Sequence, residues 1–368
     1  MHAVDVAIHG RGAVASSLAL ALNQQGLRVA VSAPDPANAA RTDVRAYALN
    51  RASRRLLQQL KVWEALPADA VTAVHDMDVR GDSGAHLGFS SWGQCVDALA
   101  WIVDAPALDA ALQQALQFAP LVQHLALIPD APLRVFAEGK DSVSRASLPV
   151  RWERHAYGHT AIAARLASQE PHANVAHQWF RAPDVLALLP FDRPAAGRSF
   201  ALVWSLPRHE AERLMQLDSA AFEGELNHAA AGGPPRLQLT SERATWPLAL
   251  ASAVPVCGAG WVLIGDAAHV VHPLAGQGLN LGLGDVQALA DTLRQREAWR
   301  ALGDERLLHR YARERAWPVW AMSRLTDALV HGFASNNNWL RELRNRGMGL
   351  VDRAAPVKRW LATQALEG

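Results

Sequence analysis

Apolar positions along the chain follow two periods. Residues 4–9 (VDVAIH) form a short apolar run, Gly10-Arg-Gly12-Ala-Val-Ala15 follows, and Leu18, Leu20 and Leu22 then lead to Gly26, with residues 27–31 apolar again. This predicts strand, glycine turn, helix with a glycine C-cap, and a second strand. Residues 43–60 (DVRAYALNRASRRLLQQL) place apolar side chains at helical spacing behind Asp43 and predict a capped helix. Residues 74–89 alternate and carry three glycines, which predicts a hairpin; residues 101–116 predict strand, turn and helix; residues 133–145 predict a strand that ends in Glu138-Gly139. After residue 150 the period shortens. Residues 160–167, 175–180, 185–191 and 200–205 alternate and are rich in β-branched and aromatic side chains, so successive antiparallel strands are expected, forming a sheet with one face over a pocket. Residues 214–229 predict a helix, 237–250 a returning strand, and 294–368 a helical region.

The most informative stretch is 261–285, WVLIGDAAHVVHPLAGQGLNLGLGD. An apolar strand ends in Gly265-Asp266, and after a turn through small residues the pair Gly276 and Gly278 opens a helix. Glycines there let backbone approach a flat or anionic ligand, and the free N–H groups of a helix start point at it. Asp266 lies at the C-terminal end of a strand, where open α/β sheets place ligand-contacting groups. The N-terminal G-x-G-x-x-A is compatible with a dinucleotide fingerprint: Gly10 for the tight turn, Gly12 for the pyrophosphate, Ala15 for close helix packing. On that motif alone, a glycine turn in an unrelated βαβ unit is an equal reading. The acid that should follow the second strand is missing; Ser32-Ala33 stand there, and Asp35 two residues later is the candidate substitute. Arg45 reads on spacing alone as an exposed arginine, and Glu138 reads equally as a ligand contact or as a cap of the following turn.

Composition narrows the partners. A chain of 368 residues, half of them hydrophobic, exceeds one typical core and is expected to form two domains or one large α/β unit. Lys plus Arg (36) balances Asp plus Glu (35), which removes any overall reason to expect nucleic acid. Cys95 and Cys257, the two cysteines, have no metal-ligand spacing and suit a reducing cytosol. No signal peptide is expected, and Pro247, Pro255, Gly258 and Gly260 break the uncharged run 244–265, so it is read as strand, turn and strand in a soluble fold. Gly258-Ala-Gly260 precedes its strand and is no second fingerprint. His269-x-x-His272 lacks a third ligand in sequence, so no metal is expected. No G-x-S-x-G occurs. The excess of basic residues and the tryptophans after residue 294 leave peripheral contact with a membrane surface or a partner open, beside helices packed on the body.

With these segments placed, the chain resembles the flavin-dependent aromatic hydroxylases of ubiquinone biosynthesis, relatives of para-hydroxybenzoate hydroxylase. The residues that carry the resemblance span nearly the whole chain: Gly10-x-Gly12-x-x-Ala15; Asp43-x-Arg45 leading to Leu49; Glu138-Gly139 with Arg145; Thr160-Ala161-Ile162-Ala163; Leu188-Leu189-Pro190; Gly265-Asp266-Ala267-Ala268-His269; and His272-Pro273-Leu274-Ala275-Gly276-Gln277-Gly278-Leu279-Asn280. The last run is the most specific. The resemblance implies an α/β fold in which a discontinuous Rossmann-type FAD-binding domain (1–73, 95–149 and 254–310) is interleaved with a smaller, mostly antiparallel β-sheet substrate domain (74–94 and 150–253), followed by a helical C-terminal region (311–368). It implies that Asp266 holds the ribityl chain, that Pro273, Gly276, Gln277, Gly278, Leu279 and Asn280 line the flavin, and that Arg45 contacts it from the opposite side. Arg45 and Pro273 would then position the flavin, with no further catalytic side chain. It also implies that NAD(P)H or another donor reduces FAD, that O₂ adds to it as a hydroperoxide, and that the oxygen passes to a prenylated phenol. Reduction or halogenation on the same fold, and a flavin-poor scaffold in a quinone-synthesis assembly, are the rival expectations; homodimerisation stays open. Three departures from the family are visible: Ala33 in place of the ribose-binding acid, Glu138 in place of the usual Asp, and a short segment between Leu116 and Leu133.

Overall fold

The computed structural model describes residues 4–32, 43–81, 86–271 and 277–334, with side chains described for all of these except 277 and 325–334. Its organising sheet has six strands in the order β16-β17-β9-β1-β2-β8. The strands are β1 (Val6–His9), β2 (Val29–Ser32), β8 (Val122–Leu125), β9 (Leu133–Phe136), β16 (Cys257–Gly258) and β17 (Trp261–Leu263). All pair in parallel except β16 with β17, which form a short hairpin. Helix α1 (Ala13–Gln24) follows β1 because nothing but Ala, Ser and Leu occupies its inner positions; Ala15, Leu18 and Leu22 are fully buried. Helix α4 (Ala105–Gln117) packs on α1 with Leu108 and Leu112 at zero exposure. Burying a leucine side chain fully contributes roughly 1.5–3 kcal/mol, so this apolar seam helps hold the six-stranded sheet and its helices together.

A nine-stranded sheet stands beside it, in the order β18-β15-β10-β13-β12-β11-β5-β6 with β14 attached to β10. Its strands are β5 (Asp76–Arg80), β6 (His86–Ser90), β10 (Arg151–Ala167), β11 (Val175–Arg181), β12 (Asp184–Phe191), β13 (Ser199–Pro207), β14 (Gln238–Leu239), β15 (Ala244–Val254) and β18 (His269–Val270). A small antiparallel sheet, β3 (Ala46–Leu49), β7 (Ala100–Asp104) and β4 (Val71–Val74), lies between the two. Two helical expectations are corrected. The segment 43–60 is not one helix: the alternating stretch Ala46–Leu49 pairs with β7, and α2 (Arg51–Gln59) begins only after Asn50, whose side chain caps it by accepting from Ser53 N. The segment 214–229 is two helices, α5 (Arg208–Gln216) and α6 (Ser219–Ala229), because Asp218 caps the second by accepting from Ala221 N.

The sidedness of the large sheet follows from its period of two. Ile162, Ala164 and Leu166 of β10, Phe200, Leu202, Trp204 and Leu206 of β13, and Leu186 and Leu188 of β12 share one core with α5 and α6. Their neighbours must face the other way. Register aligns Trp246, Ala161, Ser205 and Val185 in one row and Ala163, Val203 and Ala187 in the next. This second face is built of small side chains and fronts the small sheet, where Ala46, Ala48 and Ile102 pack with Phe191 and Leu189. Three further α-helices complete the described fold: the one-turn α3 (Ser91–Gln94) after β6, α7 (Gln277–Arg294), packed on α1, and α8 (Glu305–Ala334), packed on α7.

Candidate active site

The first wall is the turn from β1 into α1. Gly10 has φ +139°, and a Cβ there would stand 2.3 Å from the Ala137 carbonyl oxygen of the neighbouring strand end, so only glycine closes the sheet at this point. Its N–H donates to Ser32 Oγ at 3.2 Å. Gly12, the N-cap of α1, is different: a Cβ there would meet nothing within 4 Å. Among the described residues, packing does not require that glycine, and the space its hydrogen leaves is open. The first turn of α1 has no acidic residue and no side-chain cap, so its N–H groups and the positive end of the helix dipole suit an anion.

The second wall is the loop after β17. Gly265, at φ +59°, donates its N–H to Asp285 Oδ2 at 2.8 Å and lies against Val14 of α1. Asp266 follows. Its side chain keeps accessible surface although protein atoms crowd it on most sides, which describes a carboxylate on a concave wall. Desolvation raises its pKa, only partly offset by His269, Arg45 and Lys140. No described residue hydrogen-bonds to it. A Cβ on Gly278 would come to 4.0 Å from Asp266 Oδ1, an ordinary contact that places the start of α7 beside the carboxylate. Close by, Gly282 of α7 lies so near α1 that a Cβ would be 2.7 Å from Val14 Cγ2.

One buried carboxylate fixes this loop. Asp285 on α7 has no exposed surface and accepts from Gly265 N, from His269 Nε2 at 2.7 Å and from Arg315 Nε of α8 at 2.7 Å. Desolvation alone would raise its pKa; His269, Arg315 and the Gly265 N–H together hold it below the ordinary carboxylate value. Arg145 fixes the loop from the other side, donating to Ala267 O at 3.0 Å and Lys140 O at 2.9 Å, with its guanidinium 3.5 Å from the Trp152 ring centroid.

The third wall is β3 and its approaches. Arg45 is exposed, bridges to Asp43 at 2.6 Å, and sits 5.7 Å from the Tyr47 ring and 5.9 Å from that of Trp246 on the small-residue face of the large sheet. The bond from Asp43 raises the pKa of Arg45 further, so it is always charged. Burial pushes the Tyr47 phenol up to about 12 and the Asp109 carboxyl, on α4, up to about 6, the latter moderated by Arg45. Arg165 of β10 joins the two halves: its Nη2 donates to Arg45 O at 2.5 Å and to Asp104 Oδ1 at 2.7 Å.

The structure thus brings Gly10, Gly12 and Ala15 together at one end and Gly265, Asp266, Gly278 and Leu279 at the other, with Arg45 coupled electrostatically to Asp266. Two expected contacts have other duties. Glu138 caps its own turn, accepting from Ser142 Oγ at 2.5 Å, Ser144 N at 3.1 Å and Ser144 Oγ at 2.9 Å. Asn280 is 2% exposed and its side chain is engaged by Asn50 N, Ser53 Oγ and Ala48 O; it pins α7 to the β3–α2 turn, so at most its backbone is left for a ligand. Asp35, Ala33, His272, Pro273 and Gly276 lie outside the described residues, as does the side chain of Gln277. His269 is committed to Asp285, and among the described residues no cluster of His, Cys, Asp or Glu could hold a metal. Sequence reasoning missed Asp285, Arg315, Tyr47 and Trp246. For Asp285 the signal was there: an acid inside the otherwise apolar LGLGDVQALA must be paired when buried.

The model of the FAD binding domain family matches residues 130–326. Over 391 residues the chain is 30% identical to 3-demethoxyubiquinol 3-hydroxylase of Escherichia coli (strain K12), covering 98% of each chain. The chain belongs to this family. It is an FAD-dependent aromatic hydroxylase with FAD as its cofactor, a reduced donor and O₂ as co-substrates. The ubiquinone hydroxylase UbiL of Rhodospirillum rubrum is 28% identical over 98% of this chain and 89% of its own length. The fold is that of pqsL, described as a probable FAD-dependent monooxygenase from Pseudomonas aeruginosa, with a TM-score of 0.76 at 23% identity over 94% of this chain and 99% of that one. The residues present fit FAD: Gly12 at the uncapped start of α1 has no described atom within 4 Å of where a Cβ would stand, which suits an anionic group, and the carboxylate of Asp266, to which no described residue hydrogen-bonds, is an exposed acceptor suited to hydroxyl groups.

Proposed function

We propose that this hydroxylase acts on a prenylated phenol on the way to ubiquinone. The observation that carries the reading is the row Ala163, Val203 and Ala187 beside Trp246, Ala161 and Ser205: a mostly apolar face on which every side chain but Trp246 is small or β-branched, with Arg45 5.9 Å from the Trp246 ring. The end-to-end match to a demethoxyubiquinol hydroxylase supports it. In this reading Gly10, Gly12, Ala15 and the α1 N-terminus take the pyrophosphate, with Asp35 at the ribose. Asp266 accepts from ribityl hydroxyls, and the start of α7 (Gln277 to Asn280), with Gly265, Pro273 and Gly276 before it in sequence, stabilises negative charge on the reduced ring.

Bound FAD supplies electron transfer and activation of O₂. The chain's own residues orient the phenol, keep water out and place Arg45 across the ring. Once the sheet face is covered, the low dielectric there strengthens each of these contacts. We assign the halves as 1–73, 95–149 and 254–310 for the cofactor and 74–94 and 150–253 for the substrate. NAD(P)H is the donor to test first. No described helix is long and apolar enough to cross a membrane, so a prenylated substrate has to be met at a surface or handed over by a partner. Incubation with a donor, O₂ and a prenylated phenol should yield a product heavier by one oxygen. NAD(P)H oxidation that releases only hydrogen peroxide with every such phenol would rule the substrate class out.

A further inference from the structure

Helix α8 carries a stripe that the active site does not use. Arg306, Arg310, Arg313, Trp317, Trp320 and Arg324 recur at intervals of four and three residues and are all exposed, so they form one line along the helix, roughly 27 Å long at 1.5 Å per residue. Its opposite side is the anchored one: Leu307, Leu308 and Tyr311 are buried, and Arg315 binds Asp285. Trp317 and Trp320 stack on each other at 5.1 Å while keeping 67% and 51% of their surface exposed. The loop before α8, held to it by Arg310 and Glu297 at 3.3 Å, displays Trp299 at 77% exposure. Apart from Glu297, which reaches Arg310 from the preceding loop, no acid lies on the stripe among the described residues, in a chain whose total charge is nearly balanced.

We propose that this stripe docks the enzyme on a bilayer surface rich in anionic headgroups, with the arginines on phosphates and the stacked tryptophans at headgroup depth. A two-fold pairing of this face with a second copy would gather eight arginines, four from each helix, with no acid of α8 on the line between them, which like charge opposes. A groove-bound peptide needs a concavity, and a single convex helix face offers none. A planar anionic surface satisfies both the charge and the shape, and tryptophan favours the water–hydrocarbon boundary. The docking stands on charge and exposure alone. It also deepens the proposed function, since a prenylated phenol resides in such a membrane, but it can be tested without turnover.

The test uses the full-length, FAD-loaded protein and co-sedimentation with vesicles of phosphatidylcholine alone or mixed with phosphatidylglycerol. Binding is expected for the anionic vesicles and should weaken steeply with salt. The double variants Trp317→Ala/Trp320→Ala and Arg313→Glu/Arg324→Glu should each bind at least about tenfold more weakly, with FAD content and thermal unfolding unchanged. Equal binding to both vesicle types, wild-type binding by the variants, an oligomer that dissociates on loss of the tryptophans without any vesicle binding, or preference for a single-stranded oligonucleotide would each overturn the proposal. Vesicle binding with no hydroxylation of any phenol would leave the docking intact and remove the substrate reading.

Discussion

Replacing Asp285 by alanine should damage the cofactor site from behind. The carboxylate is fully buried and satisfies three donors, Gly265 N, His269 Nε2 and Arg315 Nε. Its removal leaves a guanidinium with 13% side-chain exposure without its charge partner. Breaking a buried pair from one side destabilises by about 3–5 kcal/mol, and for a chain of 368 residues that lowers the unfolding midpoint by roughly 4–6 °C. Asp285→Asn keeps an acceptor for Gly265 N and should lose about half as much. The pH response separates charge from packing. Because the folded-state pKa of Asp285 is depressed, its stabilisation is present above the unfolded carboxylate pKa near 4 and is lost as pH falls through the folded value. Wild type should therefore lose this component in acid, and the asparagine variant should lack it. The assays are calorimetry from neutral to acid pH and titration of the apoprotein with FAD, in which affinity should fall because Gly265 and Asp266 are no longer held. An alanine variant with a midpoint within about 1 °C of wild type and unchanged FAD affinity would refute the reasoning.

Three further outcomes separate folding from cofactor binding. Gly10→Ala should destabilise the apoprotein by at least about 2 kcal/mol, since positive φ and contact with Ala137 O both oppose a side chain; Gly12→Val should leave the apoprotein within about 1 kcal/mol yet weaken FAD at least tenfold, as denaturant melts and fluorescence titration would show. Asp266→Asn should lower FAD affinity by about ten- to a hundredfold, the worth of a charge-assisted hydrogen bond, while the apoprotein becomes no less stable, because burial already raises this carboxyl; loss of apoprotein stability would count against the assignment. Asp109, pushed up to about 6 by burial, stabilises fully below pH 4 and loses that contribution as pH rises through 6, so Asp109→Asn should flatten apoprotein stability between pH 4 and 6 and raise it at pH 7 by on the order of 1–3 kcal/mol.

The nucleotide-binding βαβ unit was legible in sequence because its signals are local: an apolar run, two glycines and an alanine–leucine helix. The strands of the large sheet were legible for the same reason, through period two. Residues 43–60 misled because Val44, Tyr47 and Ala48 fall three and four apart as on a helix while Tyr47 and Leu49 also suit a strand, and pairing with β7, a tertiary effect, decided for the strand. Asn280 belongs to a glycine-rich run that marks a ligand wall, yet its amide is needed to join elements more than two hundred residues apart, which no local window contains. Glu138 followed its local context and capped its turn. Trp246 and Arg45 meet only because β15 lies beside β10 in the register that brings Trp246 opposite Ala161. Chemistry-bearing motifs were readable one at a time, whereas the walls between them depend on register.

The central claim is that FAD held between Gly12 and Asp266 serves oxygen transfer to a ring laid against Ala163, Val203 and Ala187. Mass analysis of the products formed from a prenylated phenol, a reduced donor and isotopically labelled O₂ by the FAD-loaded enzyme tests it most directly. The expected product carries one labelled oxygen on the ring, and Asp266→Asn should lower its yield unless FAD is supplied in excess. Recovery of the phenol unchanged, or of a product whose new oxygen comes from water, would contradict the account.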